Sequence, residues 1–169
     1  ATQLDRLGGI AHLDGKNAGA RCQYEAALRV ERPLAQEKSH DLLAWTLHNL
    51  GCLALDEADP AAARPLLEES LHIRRTRELR PLVVLTLGTF AALLAAEGQA
   101  ERALRLATAV ETLGAEIGFG LPPVQRRTAA RWTDVARQAL GERAATAAIT
   151  AGRLLSFEEA LAVALADRC

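Results

Sequence analysis

The sequence predicts an all-α protein: a right-handed α-solenoid of three helix pairs, closed by about three capping helices. Three observations predict it. Half of the 169 residues are hydrophobic but only 4% are aromatic. The apolar mass is Ala and Leu, both strong helix formers, and β-branched residues are sparse. Three segments also repeat one another without an internal gap. Finally, the repeat fades after Leu113 into GAEIGFGLPPVQRR, whose three glycines and two prolines mark a connection into a different set of helices. At this length one domain with a real core is expected, spanning 1–169, with repeats at about 1–38, 39–80 and 81–116 and capping helices at about 121–167.

The repeating units are LDRLGGIAHLDGKNAGARCQYEAAL, LHNLGCLALDEADPAAARPLLEESL and LGTFAALLAAEGQAERALRLATAVE. Leu4, Leu7, Gly8, Ala11, Ala20, Tyr24 and Ala27 recur 43 residues later as Leu47, Leu50, Gly51, Ala54, Ala63, Leu67 and Ser70. They recur after a further 40 as Leu87, Phe90, Ala91, Leu94, Ala103, Ala107 and Val110. Close helix packing explains the pattern. Gly8, Gly51 and Ala91 on each first helix let the second helix approach, where Ala20, Ala63 and Ala103 face them. Large residues at helical spacing fill the rest, and Tyr24 and Leu67 reach into the next repeat. Gly15 belongs to the turn between two helices, where GKN matches ADP at 58–60 and GQA at 98–100. Pro60 suits a first helical position, which needs no N–H. The extra residues of these units, VERPLAQEKSHD and IRRTRELRP, follow each second helix and read as a longer helix with a short linker, broken at Pro33 and Pro81.

In the tail, Pro122 and Pro123 open a helix running to about Ala139, Gly141 interrupts, and a short helix follows over roughly 142–151. Ser156 is the N-cap of a closing helix, with Glu158 and Glu159 in its first turn. Trp132, Leu140, Ile149, Leu155, Phe157, Leu161 and Leu165 are the expected buried residues.

The placement of large and small residues resembles the tetratricopeptide repeat, a helix–turn–helix unit, although its usual period is 34. The tail carries a second resemblance. Gly120, Leu121, Pro122 and Pro123, then Ala139, Leu140 and Gly141, then the run from Gly152 to Ala160 look like the end of the repeat region in large bacterial regulators. Those proteins pair a P-loop signalling ATPase core with helical repeats, and several groups add a LuxR-type or antibiotic-regulator DNA-binding domain. Neither ATPase motifs nor a DNA-binding helix pair is present in this sequence, so no such activity carries over to it.

Several function classes are disfavoured. The net charge of −1 gives no global field to recruit nucleic acid or membrane, and no apolar run reaches membrane-span length. The stretch GGIAHLDGKN imitates a nucleotide loop but has Ile10 where the first glycine belongs and Asn17 in place of a hydroxyl residue. Cys22, Cys52 and Cys169 show no metal-knuckle spacing and read as free thiols in a reducing, cytoplasmic setting. The absence of Met leads us to expect a piece of a longer protein or a processed product. His48, Cys52 and Asp56 share one helix face, but the preferred reading is a solvated groove over a buried thiol rather than a zinc site. Glu68/Glu69 and Glu158/Glu159 diverge around their helices, so no acid–base dyad forms. Arg74, Arg75, Arg77 and Arg80, and the six arginines of 121–155, are basic clusters without interleaved aromatics. They read as helix-dipole partners and not as a nucleic-acid surface. No enzyme, cofactor or metal is expected.

The resemblance to tetratricopeptide repeats implies a concave face lined by first helices, with contacts from six positions of each. In the first repeat these are Thr2, Asp5, Arg6, Gly9, His12 and Leu13. In the second they are Trp45, His48, Asn49, Cys52, Leu55 and Asp56, and in the third Leu85, Gly88, Thr89, Ala92, Ala95 and Ala96. A chaperone-type carboxylate clamp is disfavoured, because only Asn49 fits its pattern. The second repeat offers the most binding-like surface: Trp45 for stacking, His48 and Asn49 for hydrogen bonds, and Asp56 for a cation, with His12 beside them. Trp45 can equally serve to pack neighbouring repeats. The inner face of the third repeat is expected to lie under the tail helices. The expected function is binding of a protein or peptide partner, or of a small-molecule inducer, within a transcription regulator or signalling ATPase. The alternative is a free-standing adaptor, and the end faces of the solenoid could pair two copies.

Overall fold

A computed structural model describes residues 2–34 and 40–166. The end of the first expected repeat, the last residue of the expected capping region and Cys169 lie outside the described residues. The described residues form nine α-helices and no strand, so the expected all-α class is the one observed. They divide into two compact units, Ala1–Arg80 and Pro81–Cys169.

Unit 1 holds two helix pairs. The first is α1 (Thr2–Leu13) with α2 (Asn17–Glu31), and the second is α3 (His40–Asp56) with α4 (Pro60–Thr76). Each pair is antiparallel, and α2 packs on α3. The turns share one hydrogen-bond pattern. Lys16 N–H donates to the Ala11 carbonyl and Asp59 N–H to the Ala54 carbonyl, each at 2.8 Å. That closure needs a left-handed residue one position earlier. Gly15 supplies it at φ 73°, and Ala58 adopts it at φ 59° despite its Cβ. Pro60 then starts α4, and Asp59 caps it by accepting from Ala62 N–H at 3.0 Å.

The small residues act as expected, against a different partner. A Cβ on Gly8 would come within 2.6 Å of the Tyr24 ring, and one on Gly51 within 2.6 Å of Leu67 Cδ2. The glycines therefore seat the bulky residue of the second helix, while Ala20 and Ala63 are fully buried nearby. Tyr24 also clusters with Ala20, Leu50 and Leu53, which joins the first pair to the second. A second cluster of Leu43, Ala44, Leu47 and Ile73 ties α3 to α4. Leu7 stands in the pattern of core residues, yet it is 48% exposed, together with Ile10 and Leu13 on the same helix.

Unit 2 contains α5 (Arg80–Ala96) apart from its first residue, α6 (Ala100–Glu116), α7 (Pro123–Leu140), α8 (Glu142–Gly152) and α9 (Phe157–Leu165). Pro81 is the second residue of α5 and so opens a helix where its missing N–H is harmless, whereas the sequence pattern made it a break. Gly98, at φ 80°, repeats the turn of unit 1. α6 is the hub, packing against α7, α8 and α9. Leu121, in the α6–α7 connection, covers Gly88 of α5, where an added Cβ would meet Leu121 Cδ2 at 3.2 Å.

The tail helices fall where the sequence places them, and α9 begins with a full capping box between Ser156 and Glu159. Their core differs from expectation. Leu161 is buried, but Trp132, Leu140, Ile149, Leu155 and Phe157 are only half-buried and Leu165 is 39% exposed. Ala136, Ala145, Ala148, Ala160 and Ala164 occupy the interior instead. The reason is close approach: a Cβ on Gly152 would lie 2.4 Å from the Arg105 carbonyl oxygen, so α8 rests nearly backbone to backbone on α6. Large side chains cannot enter such a seam and sit at its rim. Arg102 of α6 donates to the carbonyls of Val163 at 2.5 Å and Ala166 at 3.0 Å, holding the C-terminal end of α9.

Candidate functional site

The candidate residues of the second repeat lie on one stripe of α3, because 45, 48/49, 52 and 56 follow helical spacing. The structure places them at different depths. His48 is fully buried and Asn49 nearly so, while Trp45 and Asp56 are half-buried. His12, on α1, is fully buried. Burial of the two imidazoles and of Asn49 departs from the solvated groove read in the sequence. Polar residues of this stripe pair with one another and with α1.

His12 and Asp56 are brought together directly, with Nε2 2.8 Å from Oδ2. A carboxylate only accepts, so Nε2 carries the hydrogen. Asp56 thus turns toward α1 and away from the His48–Cys52 pair, and among the described residues no group of three or more His, Cys, Asp or Glu is arranged to hold a metal.

His48 Nε2 lies 3.7 Å from the Cys52 sulfur. Burial, assisted by the positive charge of Arg74, holds the His48 imidazole well below its usual range, so it is neutral at pH 7. Arg74 of α4 is itself fully buried, with its guanidinium carbon 5.6 Å from the centre of the Trp45 ring. Burial lowers Arg74 to about 10, which still leaves it charged. The sequence grouped Arg74 with a basic surface cluster. In the structure its neighbours Arg75 and Arg80 are exposed and Arg77 pairs with Asp41 at 2.7 Å, but Arg74 supports Trp45 from within.

A third polar group was only half legible. Thr46 Oγ1 lies 2.7 Å from Asp5 Oδ1 and 2.6 Å from Glu31 Oε2, joining α3 to α1 and α2. All three residues are buried. The sequence placed Asp5 on the concave face and did not single out Glu31 or Thr46. A signal existed for Glu31, since it continues the buried stripe Ala20, Tyr24, Ala27 of α2 at helical spacing. Burial is the main influence on Asp5 and pushes its carboxyl up to about 6. The Thr46 hydroxyl works against this, and the Glu31 charge reinforces it.

Among the described residues no helix is long and apolar enough to cross a membrane. No curated protein and no solved structure matches the chain. Residues 1–76, which span the helix pairs α1–α2 and α3–α4, match the family model of the tetratricopeptide repeat.

Proposed function

We propose that the chain is a non-catalytic interaction module that binds a protein or peptide partner on the first-helix side of unit 1. Trp45 is its accessible contact, and His12, His48, Asn49 and Asp56 shape the face from beneath. The observation that carries this reading is the match of residues 1–76 to the tetratricopeptide repeat, a unit that generally serves as a protein-interaction scaffold. The half-buried Trp45 adds support. A tryptophan fixed over a buried guanidinium presents a rigid ring at low entropic cost, the usual character of an interface anchor. In this reading the chain is a sensing segment of a bacterial transcription regulator or signalling ATPase, and a small inducer in the same place would act by shifting the packing between repeats. The regulator context rests on the resemblance of the tail motifs alone.

The coding sequence on either side of the segment tests the context. A P-loop ATPase upstream or a helix-turn-helix downstream is the expected result. A start codon just before Ala1 together with a stop just after Cys169 would overturn it in favour of an independent adaptor. The face itself is tested by titrating the purified neighbouring domains into the chain in a calorimeter, with Trp45→Ala as the variant expected to weaken binding.

A further inference from the structure

The contact between α1, α2 and α3 brings two carboxyl groups onto one hydroxyl. Thr46 has one hydroxyl hydrogen and can give it to one acceptor. Yet Asp5 Oδ1 and Glu31 Oε2 both stand within 2.7 Å of Oγ1. The second contact must therefore run in the other direction, from a carboxyl O–H to the Thr46 oxygen. Two buried carboxylates around one hydroxyl would repel each other in a poorly solvated place, and one shared proton removes that repulsion. The remaining oxygens, Asp5 Oδ2 and Glu31 Oε1, have no hydrogen-bond partner among the described residues, so no further donor stabilises a second negative charge.

We propose that Asp5, Glu31 and Thr46 form a proton-operated clasp that locks α1 and α2 onto α3 while one proton is bound and loosens α1 when it leaves. The other groups acting on Asp5 are few. From α2 the Tyr24 phenol lies close by, and burial, Cys52 and Asp5 all hold it un-ionised far above neutral pH. The positive charge at the chain's amino terminus opposes the rise in Asp5, and it is the smallest of the influences. From α3 only the Thr46 hydroxyl takes part. With Asp5 held at about 6 against an ordinary 3.8, the folded chain binds the proton more tightly than the unfolded chain. The clasp is therefore complete under acidic conditions and is lost as pH rises through about 6. If unit 1 binds a partner as proposed above, the same proton would regulate that face, and this last consequence alone rests on the proposed function.

The test needs no partner and so is independent of that reading. The carboxyl-labelled chain is titrated by NMR while hydrogen exchange of the α1 amides is followed between about pH 3.5 and pH 7. The expected result is one Asp or Glu carboxyl titrating near 6, assigned to Asp5 by its disappearance in Asp5→Asn. Protection of α1 should fall over the same range beyond the intrinsic pH effect. In Asp5→Asn the amide stands in for the protonated acid, so α1 protection should become flat with pH. His48 contributes equally to both proteins, and their difference isolates the clasp. Every carboxyl titrating near 4, or an unchanged pH slope in Asp5→Asn, overturns the proposal. Glu31→Gln carries the same expectation should Asp5→Asn fail to fold.

Discussion

His12 of α1 and Asp56 of α3 meet at 2.8 Å with the imidazole fully buried and the carboxylate 11% exposed. Together with the Asp5–Thr46 contact at 2.7 Å, this makes the seat of α1 on α3 polar at both ends. Both residues were read from the sequence as contacts for a partner, and the structure gives them to each other. Removing one side leaves a buried polar group without its hydrogen bond. His12→Ala and Asp56→Ala should each lower stability by about 1–3 kcal/mol in urea unfolding. The double variant should cost less than the sum of the two. Strict additivity in that cycle would mean that the contact carries no coupling.

The glycine that seats Leu67 gives a second prediction. Leu67 is fully buried, and its terminal carbons stand where a Gly51 side chain would go. Gly51→Ala should cost about 1–3 kcal/mol by overpacking, and Gly51→Leu more. An unchanged melting temperature for Gly51→Leu would show that α3 and α4 do not approach as closely as described.

Ala58 is the counterpart of Gly15 and Gly98 in the helix-pair turns, and it holds the same left-handed backbone at φ 59°. A Cβ in that region is strained by about 1–2 kcal/mol, part of which glycine gives back as entropy in the unfolded chain. Ala58→Gly should therefore raise stability by roughly 0.5–1 kcal/mol, read as a higher melting temperature. A loss would indicate that the Ala58 methyl makes a favourable contact.

Acid should act on His48 in the opposite direction to the clasp. The folded state holds this imidazole well below 6.5, so the unfolded chain takes up the proton first. Its contribution to stability is complete above about pH 6.5 and is lost as pH falls below that value. Replacing it with the uncharged His48→Gln should flatten the loss of stability on acidification, measured by denaturant titration at several pH values. A steeper acid loss in the variant would mean that His48 is protonated in the folded protein.

The parts of the fold legible in the sequence were those set by local geometry. The turn glycines, Pro60 and the Ser156 cap each answer a backbone requirement that a short window of residues expresses in full. The core of the tail was less legible, because residue size misleads where backbones nearly touch. Gly152 lies at the seam of α8 with α6, small alanines of α7, α8 and α9 are buried, and Leu165, expected inside, is 39% exposed. The polar residues of α3 were misplaced for a related reason. His48 and Asn49 look like surface in isolation, and burial becomes tolerable only through partners on other helices, as Arg74 and Asp56 illustrate. Such partners lie tens of residues away in sequence and no periodicity announces them.

The chain contains two tryptophans, and each unit has one: Trp45 with the Arg74 guanidinium 5.6 Å from its ring centre, and Trp132 with that of Arg131 at 5.2 Å. Each half thus carries its own optical label. Replacing one indole with phenylalanine silences that half, so the melting of the other can be recorded alone in an ordinary fluorimeter, and two single-label traces would show at once whether the halves come apart together or in turn.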